Sequence, residues 1–228
     1  MENDVLPGPS GDSARNLASR SVDRSLERRR VAYAAEVRDL VQASLDVIRR
    51  TGCLEPTVGE IVRAAGSSNK AFYRHFRSKD ELLLTVLDDG IGRLGDYLRH
   101  QIESAPSPLD RVRAWIAGVI EQALNAESAA ATRPFALSRA RLSELFPDEV
   151  RQSESQLTEL LCEAIRAAAE AGEVRSDEPE RDAALVYNLA MGWVERRLAE
   201  TSAPDRSEAE HLVEFAMRGL RGGPARRG

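Results

Sequence analysis

The chain has 228 residues, of which 30% are charged and 5% aromatic, and its formal net charge at neutral pH is −5. Alanine, leucine, arginine and glutamate dominate and no run of alternating β-branched residues is long enough for a strand, so an all-α fold is predicted. The sequence shows no apolar stretch of about 20 residues and no apolar signal segment. These features exclude a membrane-spanning class and predict a cytoplasmic protein without contact to a membrane.

Charge is divided unevenly along the chain. Residues 1–80 carry 14 Lys and Arg against 11 Asp and Glu, or +3, whereas residues 81–228 carry 18 against 26, or −8. An acidic part is repelled by a polyanion and a basic end is attracted to it, so this division would orient the molecule on a nucleic acid.

Residues that could support metal, disulfide or acid–base chemistry are few and scattered. The two cysteines, Cys53 and Cys162, lie in different segments and outside any CxxC or Cys/His cluster. Three histidines and no Ser/His/Asp arrangement leave few candidates for a general base. We therefore predict no metal centre, no cofactor and no catalytic site.

The first 24 residues are rich in Gly, Pro and Ser and are predicted to form a disordered arm. Arg28, Arg29 and Arg30 follow this arm. They suit a basic arm that reaches phosphates or a minor groove, and equally the solvated start of a helix. A helix is predicted from Val31 to Arg50, because its apolar residues recur at spacings of three and four, and it should pack on the next two helices within a unit spanning residues 25–80.

Residues 57–79 predict a helix, a tight turn and a second helix. Thr57 and Glu60 have the spacing of a capping box, and Gly66 stands where the first helix should stop. Ser67 or Ser68 can cap the second helix, in which Phe72 and Phe76 share one face. A second capping box, formed by Ser78 and Glu81, is predicted to open the following helix.

The outer face of that second helix suits DNA. Asn69 and Lys70 can pair with adenine and guanine, and the methyl group of Ala71 can touch thymine. Phosphates can be held by Thr57, Tyr73, His75 and Lys79. A short second helix with small polar and basic residues at its start is typical of helix-turn-helix recognition, although a solvated helical hairpin in an ordinary bundle remains the alternative.

The ordered string Thr–x–x–x–Ile–x–x–x–Ala–Gly–x–Ser–x–x–x–Phe–Tyr–x–His–Phe–x–x–Lys–x–x–Leu resembles the DNA-binding domain of the TetR family of bacterial regulators. The resemblance implies that Ser68, Asn69, Lys70 and Ala71 read bases, and that Tyr73, Arg74, His75 and Lys79 hold phosphates, with Thr57 beside them. Ser67 and Lys70 depart from the residues usual in the family, which bears on the operator sequence rather than on DNA binding.

The remaining chain, residues 81–222, predicts further helices, with a frayed tail over residues 223–228. A long helix runs from Lys79 to about Ser104; its GxGxxG string follows no strand and therefore does not predict a dinucleotide site. Later helices are predicted over residues 108–126, 133–145 and 148–171, and after the caps Asp177 and Asp205.

The resemblance also implies that residues 81–222 bind a small-molecule effector and form a homodimer. The apolar residues available for the dimer seam, or alternatively for the monomer's own core, are Leu185, Leu189, Trp193, Leu212, Phe215 and Ala216. The bulky residues that could enclose an effector, or simply fill the core, are Trp115, Phe135, Tyr187 and Trp193. Three arginines, Arg133, Arg139 and Arg141, could meet an anionic ligand or could be solvated.

The function predicted from the sequence is a ligand-responsive transcriptional repressor that binds a pseudo-palindromic duplex operator as a dimer and is released by its effector. An all-helical enzyme and a protein-binding adaptor without DNA binding are the alternatives. The adaptor would leave the basic outer face of the second helix without a use.

Overall fold

The computed structural model describes residues 11–51, 56–200 and 206–222, and the description below is confined to them. Within these ranges the chain is helical and has no strand, which confirms the all-α prediction. The helices are α1 (Gly11–Thr51), α2 (Val58–Ala64), α3 (Asn69–His75), α4 (Lys79–Glu103), α5 (Pro108–Leu124), α6 (Ala126–Leu145), α7 (Pro147–Glu170), α8 (Pro179–Ala199) and α9 (Arg206–Arg221).

Helices α1, α2 and α3 form the N-terminal unit, and the first turns of α4 close it. Its core is built from the apolar faces that the helical spacing predicts, since side chains at three and four residues apart share one side of a helix. The buried members are Leu40, Val41, Leu45, Ile61, Val62, Phe72, Phe76, Leu82 and Val86. The turn between α2 and α3 uses Gly66 at φ 59°, a left-handed conformation that favours glycine.

Helix α1 begins much earlier than the sequence suggested. Residues 11–24, predicted to belong to a disordered arm, are part of this helix, while residues 1–10 lie outside the described part of the chain. The reason is that Gly and Pro are concentrated before residue 12 and neither occurs from there to Thr51, so nothing breaks the helix once it has started.

Helix α4 joins the N-terminal unit to a larger unit, which consists of the rest of α4 and helices α5 to α9. At 1.5 Å per residue α4 is about 38 Å long. Leu82 and Val86 at its start belong to the N-terminal core, and Leu98 near its end belongs to the larger core. Gly90, Gly92 and Gly95 lie inside the helix with ordinary helical backbone. Because these three glycines lie inside one helix, they do not form a phosphate-binding strand–turn–helix, in agreement with the prediction.

Helix α5 lies at the centre of the larger unit and packs against α4, α6, α7, α8 and α9. Its inner face carries Val112, Trp115, Ile116, Val119 and Ile120, all nearly or completely buried. Such burial stabilises the unit by about 1.5–3 kcal/mol for each large apolar side chain. None of the helices in the described ranges is long and apolar enough to cross a membrane.

Several helix ends differ from the predictions. Helix α6 begins at Ala126 rather than at residue 133, because the Asn125 side chain accepts hydrogen bonds from the amides of Glu127 and Ser128, at 3.0 Å each. The prediction that Asp177 caps α8 is wrong. Glu178 is the residue directly before this helix, and its side chain makes no capping hydrogen bond. The predicted cap Asp205 and the tail at residues 223–228 lie outside the described residues.

Candidate nucleic-acid interface and effector cavity

The start of α2 is fixed by the capping box that the sequence predicts. The Glu60 amide donates to Thr57 Oγ1 at 3.2 Å, and the Thr57 amide donates to a Glu60 carboxylate oxygen at 2.8 Å. These backbone and hydroxyl hydrogen bonds hold the pKa of Glu60 below its usual value. Thr57 is exposed at this end of the unit and is held in place by its own cap.

Helix α3, the predicted recognition helix, is oriented by its two phenylalanines. Phe72 is completely buried and Phe76 is 5% exposed, and their rings are 5.6 Å apart. Ser68 caps the helix by accepting a hydrogen bond from the Ala71 amide at 3.2 Å. With its inner side anchored in this way, α3 turns the opposite side to solvent.

That exposed side carries most of the predicted DNA contacts. Ser68, Asn69 and Lys70 at the start of α3 are exposed, and so is Tyr73, whose exposed fraction is 61%. Together with Thr57 they form what we call the recognition surface. Ala71 is half-buried behind it.

Arg74 and His75 are placed differently, because both turn toward α1. His75 Nε2 lies 2.6 Å from Glu36 Oε2, and the imidazole side chain is only 4% exposed. Arg74 donates to the same carboxylate and lies over the Tyr33 ring, 5.4 Å from its centre. The His75 hydrogen bond and then the Arg74 hydrogen bond hold the pKa of Glu36 below its usual value. The contact with Glu36 ties His75 to α1 and turns its ring away from the exposed side of α3, so the predicted phosphate contact by His75 stays a prediction.

Lys79 lies half-buried at the first position of α4, at the same end of the molecule. Ser78 caps this helix by accepting from the Glu81 amide at 3.1 Å. The Glu81 carboxylate accepts from the Arg77 amide at 2.5 Å rather than from Ser78, so only half of the predicted second capping box forms.

The larger unit contains a cavity of about 500 Å³ that opens to solvent between α4, α5, α6 and α8. Two of the four residues predicted to enclose an effector, Phe135 and Tyr187, line this cavity. Trp115 and Trp193 do not line it. Trp115 is fully buried behind the wall, where its indole donates to the Leu157 carbonyl at 3.0 Å and its ring lies 6.3 Å from that of Tyr187. Trp193 is a core residue with 6% exposure.

A charged cluster closes one side of the cavity. Arg139 donates to Glu154 through Nε at 2.6 Å and through a terminal nitrogen at 3.0 Å, and its other terminal nitrogen is 3.4 Å from Glu195. Burial raises the pKa of Tyr187 beside this cluster and also raises the pKa of Glu195. Two carboxylates thus share the guanidinium of Arg139, so the positive charge of Arg139 is already neutralised within the protein.

The arginines predicted as possible anion ligands are not arranged for that role. Arg139 is occupied by its two carboxylates, as described above. Arg141 pairs with Asp80 at 2.7 Å, joining α6 to the start of α4, and Arg133 is exposed and does not line the cavity. Arg49 of α1 and Arg93 of α4 do line it, which the sequence did not suggest, because a helix face alone does not say which helices enclose a cavity.

The cavity wall is shared with the N-terminal unit. Leu45 of α1 lines the cavity and also belongs to the N-terminal core. Phe135 of α6 lines the cavity and packs against the same core. A molecule bound in the cavity would therefore touch residues that also support the recognition helix.

An exposed apolar surface lies between α8 and α9. Leu185 is 62% exposed, Leu189 37% and Phe215 57%. The other three residues predicted to be available for the dimer interface, Trp193, Leu212 and Ala216, are instead buried in the core of the chain. The apolar residues of these helices thus divide between the monomer's core and an outward surface.

Two sequence comparisons bear on the N-terminal unit. Residues 40–86 match the family described as bacterial regulatory proteins, tetR family. The HTH-type transcriptional regulator BetI of Rhizobium meliloti is 38% identical over 77 residues, which are 34% of this chain and 38% of that protein. The alignment thus spans well under half the length of this relative. Both matches are to regulatory proteins, and both lie within the N-terminal part of the chain.

Solved structures resemble the chain over most of its length. A TetR-family transcriptional regulator from Pectobacterium atrosepticum superposes with a TM-score of 0.72 at 20% identity, covering 86% of this chain and 98% of its own. The regulator FadR from Bacillus subtilis, solved with stearoyl-CoA, gives 0.64 at 14% identity and covers 80% and 98%. These TM-scores and coverages establish a shared fold for both the N-terminal and the larger helical unit.

Proposed function

We propose that this chain is a transcriptional repressor of the TetR family, which binds a pseudo-palindromic operator as a homodimer and leaves it when a small molecule occupies the cavity. The recognition surface on α3 carries this proposal. Its residues are exposed, polar or basic, and fixed from below by Phe72 and Phe76. A helix presented in this way fits the major groove of duplex DNA.

Within the recognition surface, Ser68, Asn69 and Lys70 stand at the start of α3, where helix-turn-helix proteins contact base edges. Ala71, half-buried behind them, has a methyl group suited to thymine. Tyr73, Thr57 and Lys79 are suited to phosphates, which position the protein on the duplex. Arg74 is partly exposed and its charge is shared with Glu36, so it would make a weaker phosphate contact.

The homodimer is supported by the exposed apolar surface of α8 and α9. Leu185 and Phe215 would be removed from water by a second copy of the same surface, which is how a two-fold symmetric interface is built. Two recognition helices related by two-fold symmetry would read two half-sites about 34–36 Å apart.

The effector part of the proposal depends on the cavity. Its volume of about 500 Å³ lies within the range of small-molecule sites, and its walls combine aromatic and aliphatic side chains with polar groups. Since Arg139 is already saturated by carboxylates, an effector with an apolar body fits this wall better than an anion directed at Arg139. Leu45 and Phe135 would transmit its presence to the N-terminal core.

The proposal is tested by incubating the protein with fragments of its own genome, separating the retained fragments on a gel and sequencing them. A repressor should retain a small set of fragments that share an inverted repeat, and binding should weaken steeply as salt is raised. Footprinting on one fragment should show two-fold symmetric protection. Retention of all fragments alike, or of none, would contradict the proposal.

A further inference from the structure

Helix α1 extends well beyond the core that it helps to build. From Val37 onward its apolar residues pack in the N-terminal core, whereas the side chains described between residues 19 and 34 are almost all exposed. At 1.5 Å per residue, residues 19–32 form about 21 Å of helix outside the core. The three-helix unit does not need this extension for its own packing.

The contacts along α1 show which way the extension runs. Leu45 and Arg49 line the cavity in the larger unit, and Leu40 lies in the N-terminal core. Farther toward the N-terminus, Glu36 and Tyr33 contact the end of the recognition helix. Because a helix is nearly straight over this length, residues 19–32 lie beyond the recognition helix, on the side away from the cavity.

One face of the extension is basic. Arg20, Arg24 and Arg28 follow one another at intervals of four, so their side chains lie along one side of the helix. All three are exposed, and no carboxylate in the described part of the chain forms an ion pair with them. Including Arg29 and Arg30, residues 19–30 contain five arginines against Asp23 and Glu27, a net charge of +3.

Arginines elsewhere in the molecule are used differently. In the larger unit Arg113, Arg139, Arg166 and Arg196 each pair with a carboxylate. An unpaired row of cations on a projecting helix is costly through mutual repulsion unless a polyanion neutralises it. Duplex DNA held by the recognition surface would supply phosphates on the same side of the molecule.

We infer that the face of α1 formed by Arg20, Arg24 and Arg28 is a second DNA-binding site, which holds phosphates of the duplex flanking the half-site read by α3. The site reads no bases and adds affinity that is independent of the flanking sequence. It rests on the proposed function, because it requires a duplex on the recognition surface. A protein partner that bound the apolar Val22 and Leu26 of the same extension would be insensitive to these arginines.

The test compares the wild type with the triple variant R20Q/R24Q/R28Q and a charge-matched control, R99Q/R151Q/R166Q, which removes three exposed arginines from α4 and α7. Arginine and glutamine have similar helix propensities, and circular dichroism verifies that both variants keep their helix content. Operator affinity is measured between 50 and 300 mM salt, on a duplex limited to the half-sites and on one extended by a helical turn at each end.

For the wild type we expect tighter binding to the extended duplex than to the short one. The triple variant should lose that preference, bind the extended duplex about tenfold more weakly, and show a salt slope smaller by up to about 2.7 per protomer, while the control keeps wild-type values. A triple variant with unchanged slope and unchanged preference would overturn the second site alone. A wild type that binds no specific duplex would overturn the proposed function as well.

Discussion

His75 at the end of α3 and Glu36 in the middle of α1 face each other, with Nε2 and Oε2 2.6 Å apart. Arg74 donates to the same carboxylate. One glutamate of the first helix thus ties down the last turn of the recognition helix. The orientation of α3 within the N-terminal unit therefore depends on a contact between residues 39 apart in the sequence.

We expect Glu36→Gln to weaken operator binding on all operator sequences alike, because it loosens the recognition helix without removing a base contact. The pKa of Glu36 is lowered by its partners, so its contribution to stability is present above its unfolded value of 4.5 and is lost as the pH falls through the lower folded value. Chemical denaturation of the wild type and of Glu36→Gln at pH 7 and pH 3 measures this contribution to stability.

The variant should be less stable than the wild type at pH 7, and the difference should shrink in acid. Glu27→Gln, an exposed glutamate of the same helix with no partner among the described residues, is the control and should match the wild type. A difference between wild type and Glu36→Gln that stays constant with pH would show that the carboxylate charge does not stabilise this junction.

Local features of the sequence predicted the framework of the recognition helix. Phe72 and Phe76 are four residues apart, and Thr57 precedes Glu60 by three, so their roles depend only on helix geometry. His75 could not be placed in the same way. Its partners Glu36 and Tyr33 come from another helix, and nothing within α3 distinguishes an imidazole that faces DNA from one that faces α1.

The same limit applies to the cavity. Trp115 and Tyr187 are both aromatic residues on predicted amphipathic helices, and periodicity gives each an inward side. Only the packing of α4, α5, α6 and α8 decides that Tyr187 borders empty space and that Trp115 lies behind it. Arg139 also needed the structure, since Glu154 and Glu195 neutralise it from two other helices.

Replacing Lys70 should differ in kind from replacing Tyr73. Lys70→Ala should cost about 1–3 kcal/mol on the preferred operator and relax the preference at one base position, because a base-edge contact is lost. Tyr73→Phe should weaken binding to every operator variant by a similar factor, since a phosphate contact carries no sequence information. Fluorescence anisotropy over a panel of single-base operator variants measures both; uniform weakening by Lys70→Ala would remove it as a base reader.

Two glycines of α4 form a matched pair for testing the cavity. Gly90 lines the cavity and Gly92 does not, both are helical, and neither has an atom within 4 Å of the position that a Cβ would take. Leucine at either position should favour the helix by up to about 1 kcal/mol. Gly90→Leu alone should fill cavity space and reduce binding of N-phenyl-1-naphthylamine, a neutral aromatic dye, measured by fluorescence titration. Equal dye binding by both variants would place the dye outside this cavity.

The exposed apolar surface of α8 and α9 should be the dimer interface. Leu185→Glu combined with Phe215→Glu places two charges where apolar side chains are 62% and 57% exposed, so the monomer should keep its fold and the dimer should dissociate. Light scattering after gel filtration measures the mass, and Leu145→Glu, 51% exposed on α6, is the control. A double variant that remains dimeric would place the interface elsewhere.

The two glutamates that share Arg139 should respond oppositely to neutralisation. Glu154 accepts two hydrogen bonds from the guanidinium, so Glu154→Gln should destabilise the fold at pH 7 by breaking a partly buried pair. Burial raises the pKa of Glu195, which means that its ionised form is disfavoured in the folded protein. Glu195→Gln should therefore be as stable as the wild type or more stable at pH 7.

The pH dependence of the stability difference between Glu195→Gln and the wild type shows whether the charge of Glu195 or its packing causes that difference. Because the pKa of Glu195 is raised in the folded protein, its contribution to the stability of the fold is fully present below the unfolded pKa of 4.5. That contribution is lost as the pH rises through the folded pKa. The advantage of Glu195→Gln over the wild type should thus be greatest near pH 7 and should vanish below about 4.5, where both side chains are neutral. Urea denaturation at pH 7 and pH 4 measures it. An advantage of the same size at both pH values would mean that the charge of Glu195 is not its cause.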